Sequence, residues 1–392
     1  MKQILTTLML YMLIVCFVIS SVTYADGGGV EVQSLHTQTL HFSKHPIRID
    51  CVVAMPDEAI AIVYYAAGTK TNHEEYRLDL FAADGKPILS KLFCQIKPGE
   101  APSPHAQIIL QKDSFLCEYY PDITSMEVCY RTEYSYSGNI VSKEKKVKLK
   151  YGEAYYADHV EGYMILKQAH GYDEPNVSPY QAVEIIHLPT AQRVSLSLYD
   201  WSKFCPFVGS DGDLFIAQKN EHGNLEIRRY DTDADMQESV AEFGKEYFYG
   251  KRFAYILSAT SLGDLAYLQV RLSNEEAAIL IYDMEKEIVI ASSTLSTAPG
   301  SDYIASIQGN GSVLLAVDGR WNDTLQRYVL TIDVLDENMG RIPVALMHAQ
   351  CISILQSDTS GKLVTIEVDE DTLDFYVCYY GIRTTFSSIT SD

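Results

Sequence analysis

Most of what usually announces a chemistry is missing from this chain of 392 residues. It has no Gly-x-Ser-x-Gly elbow, no His-Glu-x-x-His, no phosphate-binding loop, no dinucleotide fingerprint and no Cys-x-x-Cys. That removes the locally encoded hydrolases, nucleotide enzymes and zinc ribbons, but not an enzyme assembled from distant segments. Basic residues are also short, with 31 Lys and Arg against 52 Asp and Glu and a net charge of -21. An acidic surface repels phosphate backbones, so no nucleic-acid partner is expected. Tryptophan occurs only twice, at Trp201 and Trp321. Long 3.6-periodic stretches are absent too, which argues against a helical solenoid. One segment departs from this: Met236, Val240 and Phe243 would share a helical face, and the spacing predicts a short helix over Asp235–Phe243.

Only one long apolar run exists, from Ile4 to Ile19. Lys2 is the sole charge before Asp26, and small residues at Thr23 and Ala25 fit cleavage just before Asp26. Residues 1–25 therefore read as a secretory leader, and the run is shorter than the ~20 residues of a spanning helix. Val15 before Cys16 is too large for a lipoprotein site. A secreted or extracytoplasmic protein of a bacterial cell envelope is expected, with a membrane partner only if the leader stays uncleaved.

What the chain does contain is a repeat. Apolar stretches opened by turn residues begin near Ile60, Phe115, Tyr163, Leu214, Leu265, Val313 and Leu363, at steps of 55, 48, 51, 51, 48 and 50 residues. In the fourth, Phe204–Val208, Leu214–Ala217 and Leu225–Tyr230 read as strands, separated by Gly209-Ser210-Asp211-Gly212 and a polar loop at 219–224. Asp-Gly and Asn-Gly between apolar runs tolerate the positive φ of tight turns. A four-stranded sheet cannot cover both its faces alone, whereas stacked sheets cover each other. The pattern resembles β-propeller repeat proteins in general, without the Trp-Asp dipeptide of the best-known repeat. That resemblance implies an all-β propeller of seven blades of four antiparallel strands over residues 46–392, with six or eight blades as alternatives because the third repeat is irregular. Residues 26–45 form an extended segment that could close the ring on the last blade, unless a strand at Ile382–Ile389 already fills that place.

Strand order puts blade-to-blade loops and second-strand loops on one face. The candidate ligand-binding residues there are Tyr155, Tyr156, Asp158, His159, His170, Trp201, Tyr249, Arg252, Arg320 and Trp321. Flat rings with polar edges suit sugars or extended peptides. The expectation is a binding or scaffolding module with carbohydrate, peptide or an envelope protein as partner. The alternative is a carbohydrate-active hydrolase or lyase with acidic residues near the ring axis, drawing on Asp158, His159, His170, Asp173, Arg252 and Asp302. No cofactor is required, though Asp231, Asp233 and Asp235 offer alternating carboxylates to Ca²⁺. The sixth position of that loop is Met236, where a calcium loop needs Gly. Cys117 and Cys129 flank a turn about Ile123 and would face each other across a symmetric hairpin, as a disulfide or as two buried thiols.

Overall fold

The computed structural model describes residues 22–24, 30–70, 72–97, 103–124, 126–149, 155–160, 162–168, 180–199, 204–231, 236–298, 301, 303–310, 313–325, 327–336, 339–348, 350–357 and 362–384. No α-helix occurs among them. Two short strands come first, β1 (Val22–Tyr24) and β2 (Val30–Thr39). Five antiparallel four-stranded sheets follow in chain order. The first comprises β3 (Pro46–Ala54), β4 (Ile60–Ala67), β5 (Glu74–Phe81) and β6 (Pro87–Ile96). The second comprises β7 (His105–Leu110), β8 (Ser114–Tyr120), β9 (Val128–Ser135) and β10 (Ile140–Lys148). The third holds β11 (Tyr155–Val160), β12 (Tyr163–Gln168), β13 (Tyr180–His187) and β14 (Gln192–Tyr199). The fourth holds β15 (Phe204–Val208), β16 (Leu214–Lys219), β17 (Leu225–Asp231) and β18 (Met236–Phe243). The fifth holds β19 (Phe253–Leu262), β20 (Leu265–Leu272), β21 (Ala277–Asp283) and β22 (Ile288–Thr294).

The remaining strands are β23 (Tyr303–Asn310), β24 (Val313–Asn322), β25 (Arg327–Leu335), β26 (Arg341–Pro343), β27 (Gln350–Ser357), β28 (Lys362–Val368) and β29 (Phe375–Thr384). With β1 and β2 they make one nine-stranded sheet. Its halves meet through the single pair Leu330 and Cys351, with β23–β26 on one side and β27–β28–β29–β2 on the other. The β2 strand pairs with β29 from Val30 opposite Thr384 to Thr39 opposite Tyr376. This settles which segment sits beside β29: it is residues 30–39, while residues 385–389 lie outside the described part.

Burial explains the composition of each strand. Second strands are covered on both faces, so β4 is buried from Ile60 through Ala66 and β16 from Leu214 through Gln218. Outer strands such as β10 keep lysines in water, which discourages edge-to-edge association. The apolar cores lie between successive sheets. Phe115 and Tyr76 share one core, Ile165 and Ile216 another, Leu225 and Leu268 a third. One core joins the end of the chain to its beginning, with Ile62 and Tyr64 of β4 against Ile366 and Val377 of β28 and β29. Each fully buried Ile or Leu contributes about 1.5–3 kcal/mol by leaving water.

Two sequence expectations are corrected. The segment expected to be helical is strand β18. Val240 is an extra residue there, since Ala241 opposes Ile227 while Ser239 opposes Arg228. That inserted residue breaks the period of two and imitates helical spacing. The second correction concerns the cysteines. Cys117 opposes Thr132, not Cys129, and Cys129 opposes Val147 on the other side. The turn is centred beyond Ile123, with Met126 at φ 47°, so the two thiols fall on opposite faces of the sheet and both are free.

Candidate functional site

Asp50 is the one residue of β3 around which ionisable groups from several strands gather. Ile49 opposes Tyr64 and Cys51 opposes Val63, so Asp50 is the unopposed residue of a β-bulge. A bulge re-aims its side chain. Ile49 stays buried while the Asp50 carboxylate is exposed. Tyr76 of β5, fully buried, donates its hydroxyl hydrogen to Asp50 Oδ2 at 2.5 Å and accepts from the amide of Ala106 at 2.9 Å. Burial, and then the Asp50 charge, push this phenol far above its ordinary range. Tyr65 of β4 is raised by burial and by the same charge, with the Arg48 guanidinium 4.0 Å over its ring.

His105 opens β7, half-buried, its ring 6.4 Å from those of both Tyr120 and Tyr156. Burial lowers its pKa and the Asp50 charge resists. Arg327 opens β25 and donates from Nη2 to the carbonyl of Ile352 at 3.2 Å. Its Nε and Nη1 are buried without a partner. Burial pulls this guanidinium down, against the Asp50 charge. The Asp50 charge thus acts on Tyr76, which it touches, and on Tyr65, His105 and Arg327, with Arg48 standing over the Tyr65 ring. Together they can take up a proton, return it and hold negative charge.

The expected residues are spread over several strands. Tyr156 reaches the Asp50 group through its edge contact with His105. The Tyr155 carbonyl accepts from Gln107 Nε2 at 2.8 Å, so its backbone is structural. Asp158 is ion-paired to Lys167 at 2.9 Å. His159 has a buried Nε2 without a partner, and burial lowers its pKa against the Asp158 charge. Tyr249, in a left-handed conformation at φ 55°, donates its hydroxyl hydrogen to the Ser292 carbonyl. Arg252 accepts the Ser273 amide through its carbonyl. Arg320 is exposed at the end of β24, and Trp321 beside it donates to Asp323 at 2.9 Å and packs edge-on against Tyr328. His170, Asp173, Trp201 and Asp302 lie outside the described residues, as do Asp233 and Asp235. Asp231 ends β17 opposite Met236. Among the described residues no cluster of three or more His, Cys, Asp or Glu could hold a metal. Asp50, His105 and Arg327 escaped sequence reasoning because each lies at a strand position. Their only mark is a polar residue beside apolar ones.

No family model matches the chain, and no curated protein does. Solved structures do. The acylaminoacyl peptidase of Pyrococcus horikoshii is 9% identical with a TM-score of 0.46, over 82% of this chain and 49% of its own. A structure from a study of two prolyl endopeptidases is 9% identical with a TM-score of 0.47, over 88% and 51%. TolB of Acinetobacter baumannii is 11% identical with a TM-score of 0.36, over 82% and 81%. The chain spans about half the length of the two peptidases. The fold is all-β, built among the described residues mostly from antiparallel four-stranded sheets. The expectation of a binding or scaffolding module with its ligand beside Trp201 and Trp321 is not carried forward: Trp201 lies outside the described residues, and the peptidases among these structures are named for hydrolysis, which is a property of those proteins. Trp321 is itself engaged by Asp323 and Tyr328.

Proposed function

We propose that the protein is an exported carbohydrate-active hydrolase or lyase whose reaction centre is Asp50, carried on a propeller of seven four-stranded blades. The gathering of His105, Arg327, Tyr65 and Tyr76 around the charge of one exposed, bulged carboxylate carries this reading. Seven blades are supported by the core that packs the last sheet on the first, and by β27 lying against β3 as β3 lies against β7. Export is supported by the leader-like residues 1–25.

Asp50 acts as the base, or as the nucleophile that attacks the sugar. His105, neutral near pH 7, handles the second proton. Arg48 and Arg327 hold negative charge on the substrate or in the transition state. Screening plant and microbial polysaccharides tests the assignment, with reducing-end assays for hydrolysis and ultraviolet absorbance for the double bond of an elimination product. Asp50→Asn should lower kcat by about 10²–10⁴-fold with the fold intact. Turnover that survives this substitution, or none across the panel, overturns it.

A further inference from the structure

Between the first and last sheets lies a cleft of about 250 Å³, open to solvent on one side, at the far end of β3, past Ala54. Its walls have two characters. Met55, Ile60 and Val364 are buried and apolar, and Leu355 extends this surface. Above them stand two carboxylates and an amine: Asp57 and Glu58 from the β3–β4 loop, and Lys362 from the start of β28. All three are exposed. Glu58 and Lys362 approach only to 4.0 Å, beyond hydrogen-bond distance. Such an exposed pair contributes little to stability and leaves both groups able to take other partners. Tyr379 also lines the cavity, its ring 5.8 Å from that of His36, and burial together with the Glu58 charge raises its hydroxyl pKa.

The loop holding the carboxylates is strained. Asp57 and Glu58 are successive non-glycine residues in the left-handed region, at φ 59° and 58°. Each costs on the order of 1–3 kcal/mol, and such residues gather at ligand clamps. The loop is fixed by the Met55 amide donating to the Ala59 carbonyl at 2.8 Å.

We propose that this cavity binds a free α-amino acid with an apolar side chain. The ammonium group goes to Asp57 and Glu58 over the Tyr379 ring, the carboxylate to Lys362, and the side chain to the apolar wall. A neutral sugar would leave the opposed charges unused and strand its hydroxyls on the wall. The volume lies below the roughly 300–1,000 Å³ of drug-sized sites, which suits one residue and not a long peptide. The site is separate from Asp50 and does not depend on the activity assigned there.

Calorimetric titration with leucine, methionine, N-acetylleucine and leucine amide tests it. Leucine and methionine bind, and loss of either terminal charge weakens binding tenfold or more. Lys362→Met removes the distinction between leucine and leucine amide, and Glu58→Gln narrows that between leucine and N-acetylleucine. Both side chains are exposed, so the variants keep the native circular dichroism. Absence of binding by leucine and methionine overturns the proposal, as does binding that neither variant alters.

Discussion

Tyr76 holds Asp50 and the second sheet with one hydroxyl: it gives its hydrogen to Oδ2 at 2.5 Å while accepting the Ala106 amide at 2.9 Å. The phenol is fully buried among Tyr65, Phe93 and Tyr119. It therefore links a bulged carboxylate in β3 to the first turn of chain in β7.

Replacing Tyr76 by Phe keeps the ring packing and removes both bonds. The Ala106 amide is then buried without an acceptor, which costs about 1–3 kcal/mol. Urea unfolding should show a lower midpoint with an unchanged slope.

Gln107 clasps the neighbouring sheet with its amide. Nε2 donates to the Tyr155 carbonyl at 2.8 Å and to Glu118 at 2.8 Å, and Oε1 accepts from the Ala157 amide at 3.1 Å. Gln107→Leu strands two backbone groups and one bond of a buried carboxylate. A loss on the order of 2–4 kcal/mol is expected, read by denaturant titration. Gln107→Glu should also destabilise, since a second carboxylate would face Glu118 at that distance.

Stability should fall on mild acidification. Burial lowers the pKa of His105 and of His159, so the unfolded chain takes up protons that the native one resists. Their contribution is full above the unfolded value of about 6.5 and declines as pH falls below it towards the folded values. Thermal melts from pH 8 to pH 5 should show this decline, and replacing both histidines by glutamine should flatten it. A further loss sets in below about pH 4.5. There the unfolded chain takes up a proton that native Glu75 resists, because its bonds to Lys44 and Arg77 outweigh burial and keep its pKa low.

Reductant should leave the melting temperature unchanged. Cys51, Cys94, Cys117, Cys129, Cys205, Cys351 and Cys378 are free. Burial pushes the Cys51 and Cys117 thiols up to about 12, where little thiolate exists at pH 8. Alkylation should be slow in the native protein and complete in denaturant. A melting temperature lowered by reductant would contradict this arrangement.

Strand order was legible where turns carry their own chemistry. Gly212 sits at φ 86° and Gly223 at φ 81°, the conformations that Asp-Gly and His-Gly steps permit. Register was not legible. Whether Cys117 meets Cys129 depends on a three-residue offset set by a left-handed Met126, which no apolar pattern encodes. Bulges hid the rest. Val240 disguised a strand as a helix, and Asp50 is turned outward only because β4 leaves it unopposed. Both facts belong to the pairing of two segments and to neither segment alone.

The pairing of β2 with β29 sets a timetable for synthesis. Residues 30–39 leave the ribosome early, and residues 376–384, which they must meet, leave it over 300 residues later. During that interval the edge of β2 that β29 will cover is open to any other chain in the same state. The ring of contacts between the first and last sheets can therefore form only after nearly the whole chain has been made.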